Sequence, residues 1–369
     1  MEIFSIEDRQ AICDTFSRVL GDMADEKKLR QVIKTESGFD AELWEKMSQL
    51  GLTGILIDPE HQGIGGSIVE VEALMEHAGE HLYCGPFIST CVIAPTILSA
   101  CHDDNFVSAY LKGITEGTTI FSVAGCGEGG DWSQPPDVEA EKNEEGWHLT
   151  GTAGFVSHSA VANHCLVYAN TDSGTEVFLA DMNDSGIDVW LHKTNDATLR
   201  LSSLTFNQVK AHRLAGVGED VIERALRNAL VALAGEQVGS ARRIFEITID
   251  YLKTRHQFGQ PIGSFQALKH IAADLLVELE SASSAARHAA RSIATDGDDQ
   301  QLMAYLAGFT CADNFRKISA DAIQLHGGIA YTVEHPAHLY WRRAQTGQWL
   351  FCSSDSLRDM YLEEMENML

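Results

Sequence analysis

The apolar positions of this chain fall into three regimes. From residue 1 to about 117 they recur at helical spacing. Ile6 to Leu20 is one such run, and AELWEKMSQLGLTGI (Ala41 to Ile55) is amphipathic as far as Gly51, a residue suited to ending a helix. EVEALMEHAGEHL (Glu70 to Leu82) repeats the pattern, and Cys91 to Leu111 reads as an apolar helical pair broken near Asp103 and Asp104. From Gly117 to about Gly218 the texture changes to short β-branched and aromatic runs, TTIFSVAG, GWHLTGTAGFVS, HCLVYAN, TEVFLADM and LSSLTFNQV, set apart by Gly, Asn and Asp. From Asp220 onward helical spacing returns in longer stretches: Val221 to Lys253, then GSFQALKHIAADLLVELESASSAARHAARSIAT, then QLMAYLAGFTCADNFRKISADAIQLHGG. The order predicts an α+β protein with an N-terminal helical domain (1–117), a middle antiparallel β sandwich or barrel (118–219) and a C-terminal helical bundle (220–369). No internal repeat is visible.

Composition narrows the class of partner. With 369 residues, 44% of them hydrophobic, the chain can bury a large core in two or three packed domains. A formal net charge of −26 argues against nucleic acid and against anionic membrane surfaces, both of which select a basic face. No stretch approaches the roughly 20 apolar residues of a membrane span, and MEIFSIEDRQ lacks the pattern of a signal peptide, so a cytoplasmic location is expected. The eight cysteines are scattered and never fall in a CxxC, which reads as reduced, mostly buried thiols.

Several motifs resolve into bland readings. Gly125 to Gly130 satisfies GxGxxG after a plausible strand, but a dinucleotide fold needs a helix to open at once, and the following DWSQPPD forbids one. A glycine-rich loop is the better reading. The histidines, among them His256, His270, His335 and His338, are not at metal spacing, and no metal site is expected. The acidic run Glu139 to Trp147 reads as a solvated hairpin edge.

The passage RHQFGQPIGSFQALKH, Arg255 to His270, does not resolve so easily. It places a fixed cation at the end of one long helix and a turn before the next. Arginine suits phosphate because its planar fork gives paired hydrogen bonds and stays charged. Phe258 offers a ring for a base or ribose, Gly259 lets backbone come close, Pro261 fixes the exit, and Gln266 supplies a neutral amide. Farther on, Gln324, Gly327 and Gly328 again place an amide and two bare backbone positions at a helix end.

Together with QLHGGIAYTVEHP and the order of helices, sheet, helices, that passage resembles the acyl-CoA dehydrogenase family. The resemblance implies an N-terminal helical domain, a middle β domain and a C-terminal four-helix bundle that drives oligomerisation. It implies FAD bound at a subunit interface, with Arg255, Phe258, Gln266, Gln324, Gly327 and Gly328 reaching across to the diphosphate and adenosine of a neighbour's flavin. The family's catalytic base is a Glu whose position falls here on Phe351, or, in members that carry it on the earlier helix, on Ala229. The nearest acids, Glu236 and Asp355, stand at neither position. The family's Thr-Glu-Pro stretch corresponds to Ala124-Gly125-Cys126, and its Trp-Ile-Thr stretch to Phe155-Val156-Ser157. The resemblance therefore implies the non-catalytic subunit of a heteromeric (α2β2) acyl-CoA dehydrogenase of the bacterial steroid type. A second family chain would supply the base, the substrate would be an acyl-CoA, and electron-transfer flavoprotein would be the acceptor. Two alternatives stay open: a self-sufficient flavoprotein using Glu236 or Asp355 as a displaced base, and a structural partner that binds no flavin.

Overall fold

The structure, a computed structural model, describes residues 4–127, 129–134 and 136–368. Glu128 and Pro135 of the glycine-rich loop lie outside the described residues. Four helices open the chain: α1 (Ile6–Met23), α2 (Glu26–Val32), α3 (Ala41–Gln49) and α4 (Ile68–Glu80). Their starts follow from local chemistry. Ser5 with Asp8 and Ser67 with Glu70 form capping boxes, satisfying amides that the first turn leaves without partners. α3 stops before Gly51, whose φ of +77° continues no helix. The Cys91–Leu111 run divides into a π-helical turn (Ile88–Ile93), α5 (Ala94–Leu98) and α6 (Asp104–Thr115), the last capped by Asp103.

The middle region is β1 (Phe121–Ala124), β2 (Asp137–Asn143), β3 (Gly146–Ser157), β4 (His164–Thr171), β5 (Gly174–Asp181), β6 (Ile187–Leu191) and β7 (Leu201–Arg213). Strand β5 pairs with both β7 and β4, so β4, β2, β3, β7 and β5 close into a small barrel, with β1 and β6 on its flanks. Most pairs are antiparallel, as the alternating runs predict. The exceptions are β1 on β4 and a single bridge of β2 on β4, which run parallel. Inward residues such as Leu149, Phe178 and Phe206 fill the barrel completely.

α7 (Glu219–Thr254), α8 (Gln266–Ala294) and α9 (Gln300–His326) form the body of the C-terminal region. Two shorter helices that the sequence reading did not separate, α10 (Ala337–Gly347) and α11 (Ser354–Met368), pack on α9. A two-residue pair, β8 (His256–Gln257) and β9 (Gln260–Pro261), joins α7 to α8. The N-terminal domain is welded to the bundle along α4 and α7. A Cβ at Gly239 would stand 1.7 Å from the Glu76 carbonyl oxygen, so only glycine admits this approach. One apolar core therefore runs through both, from Leu74 and Met75 to Val231, Ala286 and Ala307.

Candidate functional site

Two sequence motifs meet at one end of the bundle. α7 closes at Arg255, whose amide donates to the Tyr251 carbonyl while its own backbone turns extended (φ −74°, ψ 121°). The following hairpin turns through Phe258 and Gly259, at φ +54° and +79°. A type I′ corner demands two such residues in succession. Glycine accepts this freely, whereas Phe258 takes it under strain and carries its ring into solvent, 91% exposed. Gln266 opens α8 with its amide 2.9 Å from the His270 ring. Gln324 lies in the last turn of α9, which ends at Gly327 in a conformation (φ +64°, ψ −143°) close to glycine's own territory. Tyr251 and His326 stack with centroids 4.6 Å apart, and that contact joins the two helix ends.

The resulting face is open. Arg255, Phe258, Gln266, Gln324, Gly327 and Gly328 are all exposed, and among the described residues no carboxylate engages Arg255. A Cβ at 259, 327 or 328 would meet nothing within 4 Å. An unpaired fork, an exposed ring and bare backbone suit an anion joined to a flat heterocycle, which is the chemistry of a flavin dinucleotide.

A second site lies where the barrel faces the bundle. A cavity of about 700 Å³ is lined by Gly130, Phe155, Asn195, Trp341, Arg342 and Trp349 among others, a volume within the range of small-molecule sites. Phe155 stacks on His192 at 5.5 Å, with φ +52°. Deeper in, the space is filled. Trp132 packs edge-on against Phe351 (5.0 Å) and Tyr168 (5.5 Å), and a Cβ at Gly125 would stand 2.8 Å from its ring. The Trp132 amide donates to the Phe351 carbonyl at 2.6 Å, and Ser356 Oγ donates to Asp131 at 2.7 Å. What remains between Val123, Trp132 and Phe351 is a void of about 20 Å³, room for one water and no acyl chain.

The carboxylates are committed elsewhere. Glu236 is buried; Nε of Arg343 donates to its Oε1 at 2.8 Å, and Nη2 stands 2.8 Å from the same oxygen. Nη1 of Arg343 reaches the Thr198 carbonyl at 3.2 Å. Burial opposes the charge on Arg343, but Glu236 and Asp196 more than offset this and raise its pKa above the usual arginine value. Beside this pair, burial pushes His158 down to about 3, with Arg343 and Arg200 adding to the effect, so the ring is neutral and its Nε2 has no partner. Asp355 is a surface residue on the first turn of α11, 3.2 Å from Arg358. Ala229 is sealed inside α7. Phe351 stands at φ +68°, so strained backbone collects at both sites, as it commonly does where ligands bind.

Among the described residues no group of three His, Cys, Asp or Glu can hold a metal. All eight cysteines are free, and all but Cys13 are buried. Among the described residues the loop from Gly125 leads into no helix, as DWSQPPD predicts. Sequence reasoning missed Trp132, Arg343, Trp341 and Trp349. For Trp132 one signal was present, a lone large ring in a loop of small and polar residues.

The acyl-CoA dehydrogenase N-terminal domain model matches residues 7–118, and the acyl-CoA dehydrogenase C-terminal domain model matches residues 216–365. The chain belongs to the acyl-CoA dehydrogenase family. It is 29% identical to acyl-CoA dehydrogenase FadE27 of Mycobacterium tuberculosis over 86% of each chain. It is 28% identical to acyl-CoA dehydrogenase IpdE2 of Mycolicibacterium smegmatis over 97% of this chain and 99% of that one. Among solved structures it is similar to a variant of the Tcur3481–Tcur3483 steroid ACAD (TM-score 0.90, 28% identity, 98% of both chains). It is equally similar in shape to the ChsE4–ChsE5 complex of Mycobacterium tuberculosis (TM-score 0.90, 26% identity, 99% of both chains). The acyl-CoA dehydrogenase family is one of oxidoreductases that bind FAD. Among the described residues no helix is long and apolar enough to cross a membrane.

Proposed function

We propose that this acyl-CoA dehydrogenase-family chain is the subunit of a heteromeric α2β2 enzyme that grips the FAD seated in its neighbour, while a second family chain supplies the base and the flavin-ring site. The joint activity is α,β-desaturation of an acyl-CoA, with a bulky steroid side-chain ester as substrate class and electron-transfer flavoprotein as acceptor. The two solved structures named above, a steroid ACAD and a two-component complex, support that direction.

The observation that carries the proposal is the Trp132–Phe351 contact, which leaves a void of only about 20 Å³ beside Phe351, the position at which the resemblance puts the base. Desaturation begins when a carboxylate takes the α proton, and general-base help of this kind contributes roughly 10²–10⁴ in rate. Phe351 has no atom that accepts a proton. The other half of the chemistry, an acceptor for a hydride from the β carbon, would be supplied by bound FAD. This chain's part is to hold it. Arg255 would offer a charged fork to the diphosphate, Phe258 a stacking surface, Gln266 and Gln324 amides, and Gly327–Gly328 room for backbone amides to approach.

The test is to express the chain with a second acyl-CoA dehydrogenase-family chain from the same source and count flavins. One FAD per heterodimer, and acyl-CoA oxidation by the pair but not by this chain alone, are expected. A full complement of FAD and full activity in the isolated chain would sink the proposal.

One feature favours a second reading. The cavity of about 700 Å³ is roomy enough for a flavin ring in this chain's own cleft, as a self-sufficient enzyme with Glu236 or Asp355 as displaced base would need. Loss of flavin reduction by the isolated chain on Glu236→Gln or Asp355→Asn would establish it.

A further inference from the structure

The turn that follows α9 is held by a residue from the opposite end of the chain. Arg30, on α2, donates from Nη1 to the Val333 carbonyl at 2.5 Å and from Nη2 to the Glu334 carbonyl at 2.9 Å. Its Nε donates to Glu26 Oε1 at 2.8 Å, which fixes the direction of the fork. Those carbonyls belong to the segment that begins with Gly327 and Gly328. The residues flanking the segment meet through rings: His335 tilts onto His326 with centroids 4.4 Å apart, and His326 stacks on Tyr251. Gly327–Tyr331 forms a short 3-10 helix, and beyond it the backbone bonds are Thr332 amide to Ile329 carbonyl and His335 amide to Thr332 carbonyl. Ala330 is buried in the core, but past it no apolar side chain anchors the turn, since Tyr331 is 80% and Val333 73% exposed.

The Tyr331–Glu334 stretch, which shows its side chains to solvent, has little rigidity of its own. Any ligand resting on it must either find it ordered or order it on binding, and the second route weakens affinity. Arg30 supplies order from outside. Two bonds from one charged, planar group to successive carbonyls fix both the position and the tilt of the turn.

We propose that Arg30 is a positioning residue for the dinucleotide grip: it touches no ligand, but it holds the Gly327–Glu334 turn in the form that receives the FAD of the neighbouring subunit. The inference rests on the function proposed above. It adds that the N-terminal domain, through α2, sets how tightly this chain holds a cofactor lodged in another subunit.

The experiment uses the assembled pair, titrated with FAD after removal of the flavin and followed by flavin fluorescence. Hydrogen exchange of the 327–334 amides is measured on the same samples. Arg30→Ala is expected to raise the FAD dissociation constant roughly tenfold, the scale of losing charged hydrogen bonds that pre-order a site. Arg30→Lys, which keeps the charge but not the fork, is expected to fall between. Exchange at 327–334 is expected to quicken in Arg30→Ala while exchange in α7 and α9 stays at the parent rate. Arg255→Ala serves as the reference. If Arg255→Ala weakens FAD binding and Arg30→Ala leaves both affinity and local exchange unchanged, the role of Arg30 is overturned and the proposed function stands. If Arg255→Ala changes nothing, both fall together. Faster exchange spread through α7 and α9 in Arg30→Ala also overturns it, because the residue would then be serving the fold at large.

Discussion

Trp132 and Phe351 meet edge to face, ring centroids 5.0 Å apart and planes at 84°, with the Trp132 amide donating to the Phe351 carbonyl at 2.6 Å. Phe351 holds the place at which the family resemblance puts the catalytic base, and Gly125, against which Trp132 packs, belongs to the stretch that the same resemblance matches to the family's Thr-Glu-Pro. One indole thus bridges the two halves of what would be an acyl site.

Opening that space takes two changes together. Phe351→Glu alone puts a carboxylate against the Trp132 ring, and no acyl-CoA binding is expected to follow. Trp132→Ala alone empties a partly buried site and is expected to cost about 3 kcal/mol, the low end for Trp→Ala changes. In the double variant both obstacles are gone. Isothermal titration of the assembled pair with an acyl-CoA should then show extra binding sites beyond those of the parent. Unchanged stoichiometry would mean that something besides Trp132 and Phe351 closes the site.

The buried pair Glu236–Arg343 separates a structural role from a catalytic one. Both side chains are nearly inaccessible, at 7% and 5% exposure, and Arg343 also ties α10 to the loop before β7. Removing one charge from a buried pair leaves the other uncompensated, at a cost of about 3–5 kcal/mol. Glu236→Gln is therefore expected to lower unfolding free energy by that order while leaving the pair's rate of flavin reduction unchanged below its melting point. A drop in rate at unchanged stability would instead make Glu236 the base.

How far the chain could be read in advance varied with the range of the interactions. Helical spacing gave α1, α3, α4, α7, α8 and α9, since periodicity is local, and the Arg255 and Gln324 motifs were visible because each spans only a few residues of one helix end. The short α2, EKKLRQV, has too few apolar positions to show a stripe, so Arg30 passed as an ordinary surface cation. Which of Arg342 and Arg343 would be buried could not be told from two adjacent arginines. The Trp132–Phe351 contact, the closure of β5 onto both β4 and β7 and the parallel β1–β4 pair join segments distant in sequence, and no local pattern encodes such meetings.

A pH dependence arises at Glu72, on α4 within the shared core. Its Oε1 is buried without a partner. Burial, with Glu76 adding to it and Arg287, Arg291 and Arg242 opposing, raises the carboxyl to about 7 from an ordinary 4.5. A carboxyl whose folded value is raised contributes stability that is fully present below the unfolded value and is lost as pH climbs through the folded one. The window is thus pH 4.5 to 7. Glu72→Gln cannot ionise and escapes the loss. Measured by urea unfolding, the variant should gain on the parent by on the order of 3 kcal/mol between pH 5 and pH 8. Parallel stability curves for the two proteins would show that Glu72 is solvated.

Gly327 and Gly328 stand side by side on the proposed dinucleotide face, but they answer to different constraints. Gly327 is at φ +64° and ψ −143°, where a side chain is strained whatever the space around it, and Gly327→Ala is expected to cost about 1–3 kcal/mol of stability. At Gly328 no such backbone strain is present, and an added Cβ would meet nothing within 4 Å. Gly328→Ala should therefore leave the melting temperature of the FAD-free chain unchanged. Its methyl group would project from the face that Arg255 and Gln324 share, where the proposed ligand lies against bare backbone. In the assembled pair the expected result is weaker FAD retention, read as flavin lost on gel filtration, from a variant that folds like its parent. If Gly328→Ala retains flavin fully while Gly327→Ala only destabilises, these glycines serve the end of α9 rather than a nucleotide.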